Sequence, residues 1–310
     1  MRATAWGIVA IGAAAPIVRK RVKAPPVAVQ AVAYAAPLGL CIATRRSRRR
    51  DAAVCALQMW AYVAAYKFPH DDPEAQERRV RIRYPVAFDR ALGLGELPSL
   101  RLQRALSRSG PDGPSWRALD DMLVWAHWSW FMVPHGSIAY ILMRHRARFP
   151  RAAVMMYATF NLGASVYWLV PTAPPWWPAA VEAGGLEGGQ AVRRMMVEYG
   201  EDFWKDGWGS LYSVFGGNPL AAMPSLHFAT SLMAALLLAE VGPIPGAMGF
   251  AYTATLGFAL VYLGEHYVVD LLAGAALTAA VRRFGPAAAG TIDRFGRAVA
   301  ALEARAHQDS

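Results

Sequence analysis

Long apolar segments constrain the fold of this chain more than any other feature of its sequence. Six of them alternate with polar or basic stretches, at 52–66, 122–143, 152–170, 221–241, 247–264 and 267–281. A helix needs about 20 apolar residues to cross a bilayer, so the shorter segments are expected to extend into their polar flanks. Only 17% of the residues are charged, whereas soluble domains average about a quarter. The sequence therefore predicts an all-α fold, a polytopic membrane helix bundle with six core transmembrane helices.

Blocks of basic residues predict an orientation for these helices. The formal net charge of +10 is concentrated beside the apolar segments, in blocks at 45–50, 144–151 and 282–283. If the six spans alternate, these three blocks lie on one side, which an excess of Lys and Arg marks as cytoplasmic. We expect a multi-pass cell-membrane protein. Nucleic acid is not an expected partner, because no nucleic-acid-binding motif accompanies the charge.

Two regions fit this scheme less simply. The apolar segments 6–18 and 26–44 are flanked by basic blocks, and they predict a hairpin, an interfacial pair or one true span. A cleaved signal peptide is a further alternative, because a basic residue precedes an apolar run that ends in "GAAAP". Residues 69–120 carry many arginines yet fall on the non-cytoplasmic side. We expect amphipathic helices on the membrane surface there.

The stretch "NPLAAMPSLHFATS" (218–231) places polar residues at the mouth of the fourth apolar segment. Ionisable residues in such positions are costly and indicate a functional site. Ser225 precedes His227 by two residues at the predicted start of a helix. It can cap that helix and donate a hydrogen bond to an anion, and the free amides and helix dipole favour phosphate at the same place.

A second stretch, "GEHYVVDLLAG" (264–274), places His266 and Asp270 four residues apart. On a helix this spacing brings both side chains to one face. The carboxylate can then fix the tautomer of the imidazole and leave its other nitrogen basic, as in an activated nucleophile. The alternative is a histidine at a helix end beside a solvated aspartate.

The span count brings these two stretches together. His227 opens the fourth span and His266 opens the sixth, on the same membrane face, so His227 can act as a general acid. With Asp270 and an anion-binding helix start, this arrangement favours phosphoryl transfer through a phospho-histidine, with no cofactor. The alternative is a zinc site of two histidines and one carboxylate. The spacing favours Asp270 as the orienting partner of His266, so no metal is expected.

Both stretches resemble the type 2 phosphatidic acid phosphatase superfamily, in its Pro-Ser-x-His and His-x-x-x-Asp motifs. The segment "VYWLVPTAPPWW" is similar to the branch that includes the inositol phosphorylceramide synthases, which are inositolphosphotransferases. The resemblance covers residues 123–283. It implies a metal-independent mechanism in which His266 attacks phosphorus, Asp270 holds His266, and His227 protonates the leaving oxygen. Water or an acceptor alcohol would then take up the phosphoryl group.

The sequence departs from that pattern in its cations. Many of these phosphatases carry an arginine six residues before the nucleophilic histidine, and Leu260 stands there in this chain. The Lys and Arg of their first motif have no match either. Cations at the transferring group normally contribute much of the rate. Arg193, Arg194 and Lys205 are the candidates to replace them, with contacts to lipid headgroups as the alternative role.

The sequence thus predicts an integral membrane lipid phosphotransferase or phosphatase acting on a lipid phosphate or phospholipid at the non-cytoplasmic face. The alternative is a transporter or lipid-binding scaffold that keeps the same fold. Four parts are expected: an N-terminal extension of one or two helices (1–51), a first span with an external segment (52–121), a catalytic core (122–284) and a cytoplasmic tail (285–310). His127 and His135 are further candidates to line the pocket. No sequence feature predicts an oligomeric state.

Overall fold

The computed structural model describes residues 1–110, 113–177, 192–215 and 217–308, and these residues are mainly helical. Its helices are α1 Arg2–Val22, α2 Pro26–Ala43, α3 Arg48–Lys67, α4 Pro73–Glu77, α5 Arg83–Leu92, α6 Pro98–Leu106, α7 Ala118–Trp128, α8 Met132–Arg144, α9 Phe149–Leu169, α10 Met195–Trp204, α11 Gly207–Phe215, α12 Leu226–Ala239, α13 Pro243–Tyr262 and α14 Val268–Gln308. Within the described ranges, the strands form one short antiparallel hairpin, β1 Arg108–Gly110 with β2 Gly113–Ser115. The prediction of an all-α fold is confirmed.

Helix α12 lies at the centre of the bundle, where it contacts α8, α9, α13 and α14. Large side chains from α3, α9 and α12 fill the core around it, among them Tyr62, Met156, Phe160, Tyr167 and Met233. Gly274 on α14 allows a closer approach than any other residue would, because a Cβ atom there would lie 2.6 Å from the backbone oxygen of Ser225. The start of α12 is thereby fixed against the first turns of α14.

The outer surface of the bundle is apolar where a membrane would contact it. On α13, Ile244 is 72% exposed and Met248 is 68% exposed, although both are large hydrophobic residues. Two described helices, Pro26–Ala43 and Pro243–Tyr262, are long and apolar enough to cross a bilayer by length and composition, and Leu226–Ala239 is apolar but shorter. These features agree with a helical membrane bundle, and the count of six core spans stays a prediction.

The predicted second span, 122–143, is not one continuous helix. Helix α7 ends at Trp128, a 3₁₀ turn covers Ser129–Phe131, and α8 follows. Pro134 accounts for the break, since it has no N–H group to donate to the carbonyl of Trp130 and its ring would crowd that carbonyl.

The N-terminal segments form an antiparallel helical hairpin, which is one of the three predicted alternatives. Helices α1 and α2 pack along each other, and Lys23 ends α1 with a left-handed backbone (φ 51°). Near its start, α2 contacts the end of α3, where Gln30 donates a hydrogen bond to the oxygen of Ala61. Arg19 forms an ion pair with Asp71, just beyond α3. The basic turn of the hairpin therefore lies at the same end of the bundle as the residues after α3.

Helix α14 continues well beyond the predicted sixth span, and residues 285–308, predicted as a tail, belong to it. Near its distal end, Glu303 forms an ion pair of 2.9 Å with Arg50 of α3. Arg50 also donates hydrogen bonds to backbone oxygens at the end of α2. The end of α14 is thus attached to the N-terminal helices on the side away from the basic hairpin turn.

Residues 68–107, called the collar here, contain the short helices α4, α5 and α6 in the region where amphipathic helices are expected, and their place on the membrane surface stays a prediction. The N–H group of Arg81 donates to the oxygen of Pro171, and Ala173 donates back to Arg81. Thr172 in turn donates to the oxygen of Leu220. Apolar side chains of the collar pack on the same residues, and this cluster includes Val86, Leu97, Leu100, Leu220 and Tyr267. The collar therefore holds two segments together: the proline-rich segment, residues 171–175 (PTAPP), and the segment just before α12.

Candidate active site

His266 and Asp270 form a hydrogen-bonded pair at the start of α14. Nδ1 of His266 lies 3.2 Å from Oδ2 of Asp270, which also accepts a 2.9 Å hydrogen bond from the N–H group of Tyr267. His266 lies just before the helix, and the carboxylate of Asp270 lies in its first turn. Its hydrogen bond with the N–H group of Tyr267 is one of the two bonds that make up a capping box. His266 is 5% exposed and Asp270 is fully buried. This contact leaves Nε2 of His266 as the nitrogen with a free lone pair.

His227 lies against that nitrogen. Its Nδ1 is 3.2 Å from Nε2 of His266. The two helix starts are held together because the backbone N–H group of Ser225 donates to the backbone oxygen of Asp270. The hydroxyl of Ser225 accepts a hydrogen bond from the N–H group of Phe228 and so caps α12, as predicted. Ser225 is fully buried, and its predicted contact with phosphate stays a prediction. The structure thus brings His227, His266 and Asp270 into one chain of contacts.

The two histidines line a cavity of about 80 Å³, together with Arg194, Glu265, Asn218 and Trp176, among other residues. One water molecule takes up about 30 Å³ in the liquid. The cavity can therefore hold a small group such as a phosphoryl group beside the two histidines.

Arg194 is the member of the three predicted cations that lines the cavity. Its guanidinium donates to both carboxylate oxygens of Glu265, at 2.9 and 3.2 Å, and to the hydroxyl of Tyr212. It also lies 3.9 Å from the ring centroid of Trp176. Burial alone would lower the pKa of Arg194 and raise that of Glu265. Their mutual attraction outweighs burial, so the pKa of Arg194 is raised and that of Glu265 is lowered. Both groups are charged at neutral pH.

The other two predicted cations point elsewhere. Arg193 forms an ion pair with Glu198, and Lys205 pairs with Asp202 at the surface. Neither is among the described residues that line the cavity. The backbone of Arg193 is held by Gln103 of the collar, whose amide donates to the oxygens of Arg193 and Tyr262. A role for the Arg193 side chain in substrate binding stays a prediction.

Leu260, at the position of the superfamily arginine, lies in the core and brings no cation to the cavity. Its side chain is fully buried, and its backbone oxygen accepts hydrogen bonds from the N–H groups of Glu265 and His266, both 3.0 Å long. Gly264 allows this turn because its φ is +82° and a Cβ atom would lie 2.3 Å from the oxygen of Arg193. The turn brings His266 to the cavity.

His127 is a third histidine at the site, as one of the two candidates from the second segment. Its ring stacks on that of His227, with centroids 5.0 Å apart and planes 27° apart. Both of its ring nitrogens are buried and lack a hydrogen-bond partner within the part of the chain that the structure describes. His135 instead contacts the oxygen of Phe131 and the sulfur of Met59. Of the two candidates, His127 is therefore the one that contacts a residue of the candidate site, His227.

Asp89 of the collar is a site residue that sequence reasoning missed. Its two carboxylate oxygens accept hydrogen bonds from the N–H groups of Val268 and Val269, the first residues of α14, at 2.8 and 3.0 Å. Asp89 is only 1% exposed, and burial raises its pKa to about 6 in spite of these two bonds. A residue 179 positions away in the sequence therefore caps the helix that carries Asp270.

No group of three or more His, Cys, Asp or Glu side chains is arranged to hold a metal ion within residues 1–110, 113–177, 192–215 and 217–308. Cys41 and Cys55 are both free thiols. The carboxylate of Asp270 is directed to Nδ1 of His266, the orienting arrangement that the spacing predicts.

A comparison with protein-family models matches residues 115–283 to the PAP2 superfamily. The chain belongs to this superfamily. The matched region contains both histidine motifs and the proline-rich segment, whereas the collar lies before it. Asp89 and Gln103 therefore belong to the site but lie outside the region that the family model describes.

Curated relatives of this PAP2 protein are inositol phosphorylceramide synthases. The catalytic subunit from Schizosaccharomyces pombe is 32% identical over 122 residues, which are 37% of this chain and 27% of the relative. The synthase from Candida albicans is 32% identical over 130 residues, 40% of this chain and 26% of the relative. The matched part thus spans about a quarter of each relative. No solved structure gives a significant match.

Proposed function

We propose that this PAP2 protein is a membrane lipid phosphotransferase that passes a phosphoryl or phospho-headgroup through a phospho-histidine to an acceptor alcohol. The observation that carries the proposal is the chain of contacts His227–His266–Asp270, with two separations of 3.2 Å, at a cavity of phosphoryl size. The relatives named as inositol phosphorylceramide synthases support an alcohol as acceptor. Transfer to water, and hence phosphatase activity, is the second candidate.

The first step forms the phospho-histidine. Nε2 of His266 attacks phosphorus, the N–P bond forms, and the P–O bond to the leaving group breaks. Protonated His227 gives its proton to the departing oxygen, which as an alkoxide would be a poor leaving group. The buried carboxylate of Asp270 stabilises the positive charge that develops on His266.

The second step runs the same groups in reverse. The hydroxyl oxygen of the acceptor alcohol attacks phosphorus, and the N–P bond breaks. Neutral His227 takes up the proton that this hydroxyl loses. His266 returns to its neutral form and His227 is protonated again. The cycle needs no net proton and no redox partner, and we propose that it needs no metal.

The short contact between the histidines has a consequence for binding. A phosphorus atom cannot lie between two nitrogens that are 3.2 Å apart. The substrate must therefore separate the two rings and replace their contact with its own.

The basic blocks of the sequence support an orientation of the protein in the membrane, and we propose that the site lies on the non-cytoplasmic face.

The proposal is tested by turnover of the purified protein in detergent. A panel of lipid phosphates and phospholipids is offered with and without an acceptor alcohol such as myo-inositol, and both released phosphate and new lipid phosphodiester are measured. We expect a new phosphodiester that depends on the acceptor. Release of phosphate alone would make the protein a phosphatase. A folded protein that turns over no member of the panel would favour the non-catalytic alternative.

A further inference from the structure

The cavity is lined by hydrogen-bond donors for which the described part of the chain offers no acceptor. Nδ2 of Asn218 and Nε1 of Trp176 are both buried and have no hydrogen-bond partner among the residues that the structure describes. Both residues line the cavity beside His227 and His266. Buried N–H groups without acceptors are rare in folded proteins because each one costs free energy. Two of them at one small cavity indicate a ligand that offers oxygen atoms.

The amide of Asn218 has a fixed orientation. Its Oδ1 accepts hydrogen bonds from the backbone N–H of Leu220 and from Nε2 of Gln76, each 3.0 Å long. A backbone N–H can only donate, so the atom facing Leu220 must be the amide oxygen. The NH₂ group is therefore the one for which residues 1–110, 113–177, 192–215 and 217–308 provide no acceptor. Gln76 is itself 1% exposed and contacts Nδ1 of His70 through its own oxygen.

Trp176 and Arg194 complete a set of donors on the cavity wall. An indole nitrogen can only donate, and the ring that carries it lies under the guanidinium of Arg194. The three described bonds of Arg194 use three of the five N–H groups that a guanidinium has. Glu265 balances the charge of Arg194, so the wall binds an anion mainly through oriented N–H groups.

We propose that Asn218 Nδ2 and Trp176 Nε1, with Arg194, bind the non-bridging oxygens of the phosphoryl group that reacts at His266. This inference rests on the proposed function and supplies the groups that replace the superfamily cations absent from this sequence. Gln76 of the collar is a positioning residue, because it holds the oxygen of Asn218 and leaves the NH₂ group to the ligand. Fixed donors of this kind stabilise developing charge without reorganising.

The test uses conservative variants of the full-length protein. Asn218→Asp keeps the size of the side chain but replaces the donor with a carboxylate, and Trp176→Phe removes only the indole N–H and part of the ring. The matched controls are Asn161→Asp and Trp168→Phe, since Asn161 donates to Tyr157 and Trp168 donates to Ala65. Size-exclusion profiles establish that each variant folds. Gln76→Leu tests the positioning role.

Two quantities are measured: turnover, and the shift in melting temperature caused by orthovanadate, an analogue of the phosphoryl group. We expect Asn218→Asp to lower turnover about 100-fold or more and to abolish the vanadate shift, and Trp176→Phe to lower turnover about 10-fold. Gln76→Leu should weaken the vanadate shift in the same direction. The controls should stay within about threefold of wild type.

The outcomes separate the two proposals. If the wild type binds vanadate through Asn218 but turns over no lipid, the donor set stands and the proposed function fails. If the wild type is active and the Asn218 and Trp176 variants match it in turnover and vanadate shift, the donor set is overturned. A wild type that shows no vanadate shift overturns it as well.

Discussion

At the scale of single residues, His266 makes a different contact with each ring nitrogen. Nδ1 faces the buried carboxylate of Asp270, and Nε2 faces His227 and the cavity. Only one tautomer satisfies both contacts when His227 presents a donor. The reactivity of the site is therefore determined by which nitrogen carries a proton, and substitutions can test each nitrogen separately.

Replacement of the nucleophile should abolish the reaction. We expect His266→Ala to reduce turnover to background while the protein still inserts and folds, because no other nitrogen occupies its place. Asp270→Asn should lower turnover about 10³- to 10⁴-fold, since the amide no longer stabilises the imidazolium. Turnover of purified variants measures both effects. Near wild-type rates from His266→Ala would remove the nucleophile assignment.

The general acid should matter most for poor leaving groups. A general acid contributes about 100- to 10,000-fold by protonating the departing oxygen, and a nitrophenolate hardly needs that proton. We therefore expect His227→Ala to stop cleavage of lipid substrates yet retain much of the activity on an aryl phosphate. His135→Ala is the control, because that histidine contacts Phe131 and Met59 instead. Equal losses on both substrates would contradict the acid role.

Chelation should leave the activity intact. The proposed phospho-histidine route uses the nitrogen of His266 as nucleophile and Arg194 with oriented N–H groups for charge, so by this proposal EDTA should have no component to remove. The measurement is turnover after incubation with EDTA and after re-addition of zinc. Loss on chelation with recovery on zinc would support the metal alternative.

At the scale of elements, the collar determines the geometry of the start of α14. Asp89 reaches from α5 to accept the first two N–H groups of that helix, and a helix start leaves such groups without partners of its own. Gln103 of α6 holds the turn that delivers His266, through Arg193 and Tyr262. The family motifs therefore function on a support that another part of the chain provides.

Titration of Asp89 should act on stability and turnover in opposite directions. Its folded pKa of about 6 lies above the unfolded value of about 3.9, so the folded state binds more protons between them. The contribution of Asp89 to the melting temperature should therefore fall as the pH rises from about 4 to 6. Turnover should rise over the same range, because the ionised carboxylate accepts both N–H groups.

The comparison with Asp89→Asn isolates this effect. The amide keeps one acceptor and does not titrate, so its melting profile should be flatter and its turnover lower at neutral pH. Other groups, Asp270 among them, titrate in both proteins and cancel in the difference. Asp293→Asn, a change on the exposed distal part of α14, is the control. Identical pH profiles for wild type and Asp89→Asn would contradict the role of Asp89.

Local sequence patterns predicted contacts between residues close together in the chain. Contacts between residues far apart in the chain could not be predicted in this way. The spacing of His266 and Asp270 predicts their pairing, and Ser225 before an apolar run predicts a helix cap; both contacts are present. The span count also predicted that His227 lies near His266, and the structure has this contact at 3.2 Å. Nothing in the sequence near Asp89 indicates its partner, since that contact depends on how the collar folds over α14.

At the scale of the whole molecule, the position of the N-terminal hairpin allows a test of how the protein is oriented in the membrane. Its basic turn lies at the end of the bundle where Arg19 pairs with Asp71, although basic turns more often face the cytoplasm. In a variant without Cys41 and Cys55, we expect single cysteines at Lys20 and Lys205 to label from one side of intact cells. A cysteine at Gly290 should label from the other. Labelling of Lys20 together with Gly290 would contradict this arrangement.

The basic turn of the hairpin also bears on how substrate would reach the cavity. Each Lys or Arg near a membrane surface contributes about 1 kcal/mol of attraction for anionic lipids, and Lys20 is 79% exposed at its side chain. We therefore expect anionic lipids to be enriched around this end of the bundle. A substrate that carries a phosphate would then arrive by diffusion in the plane of the bilayer, and the occupancy of the site would depend on the composition of the surrounding leaflet.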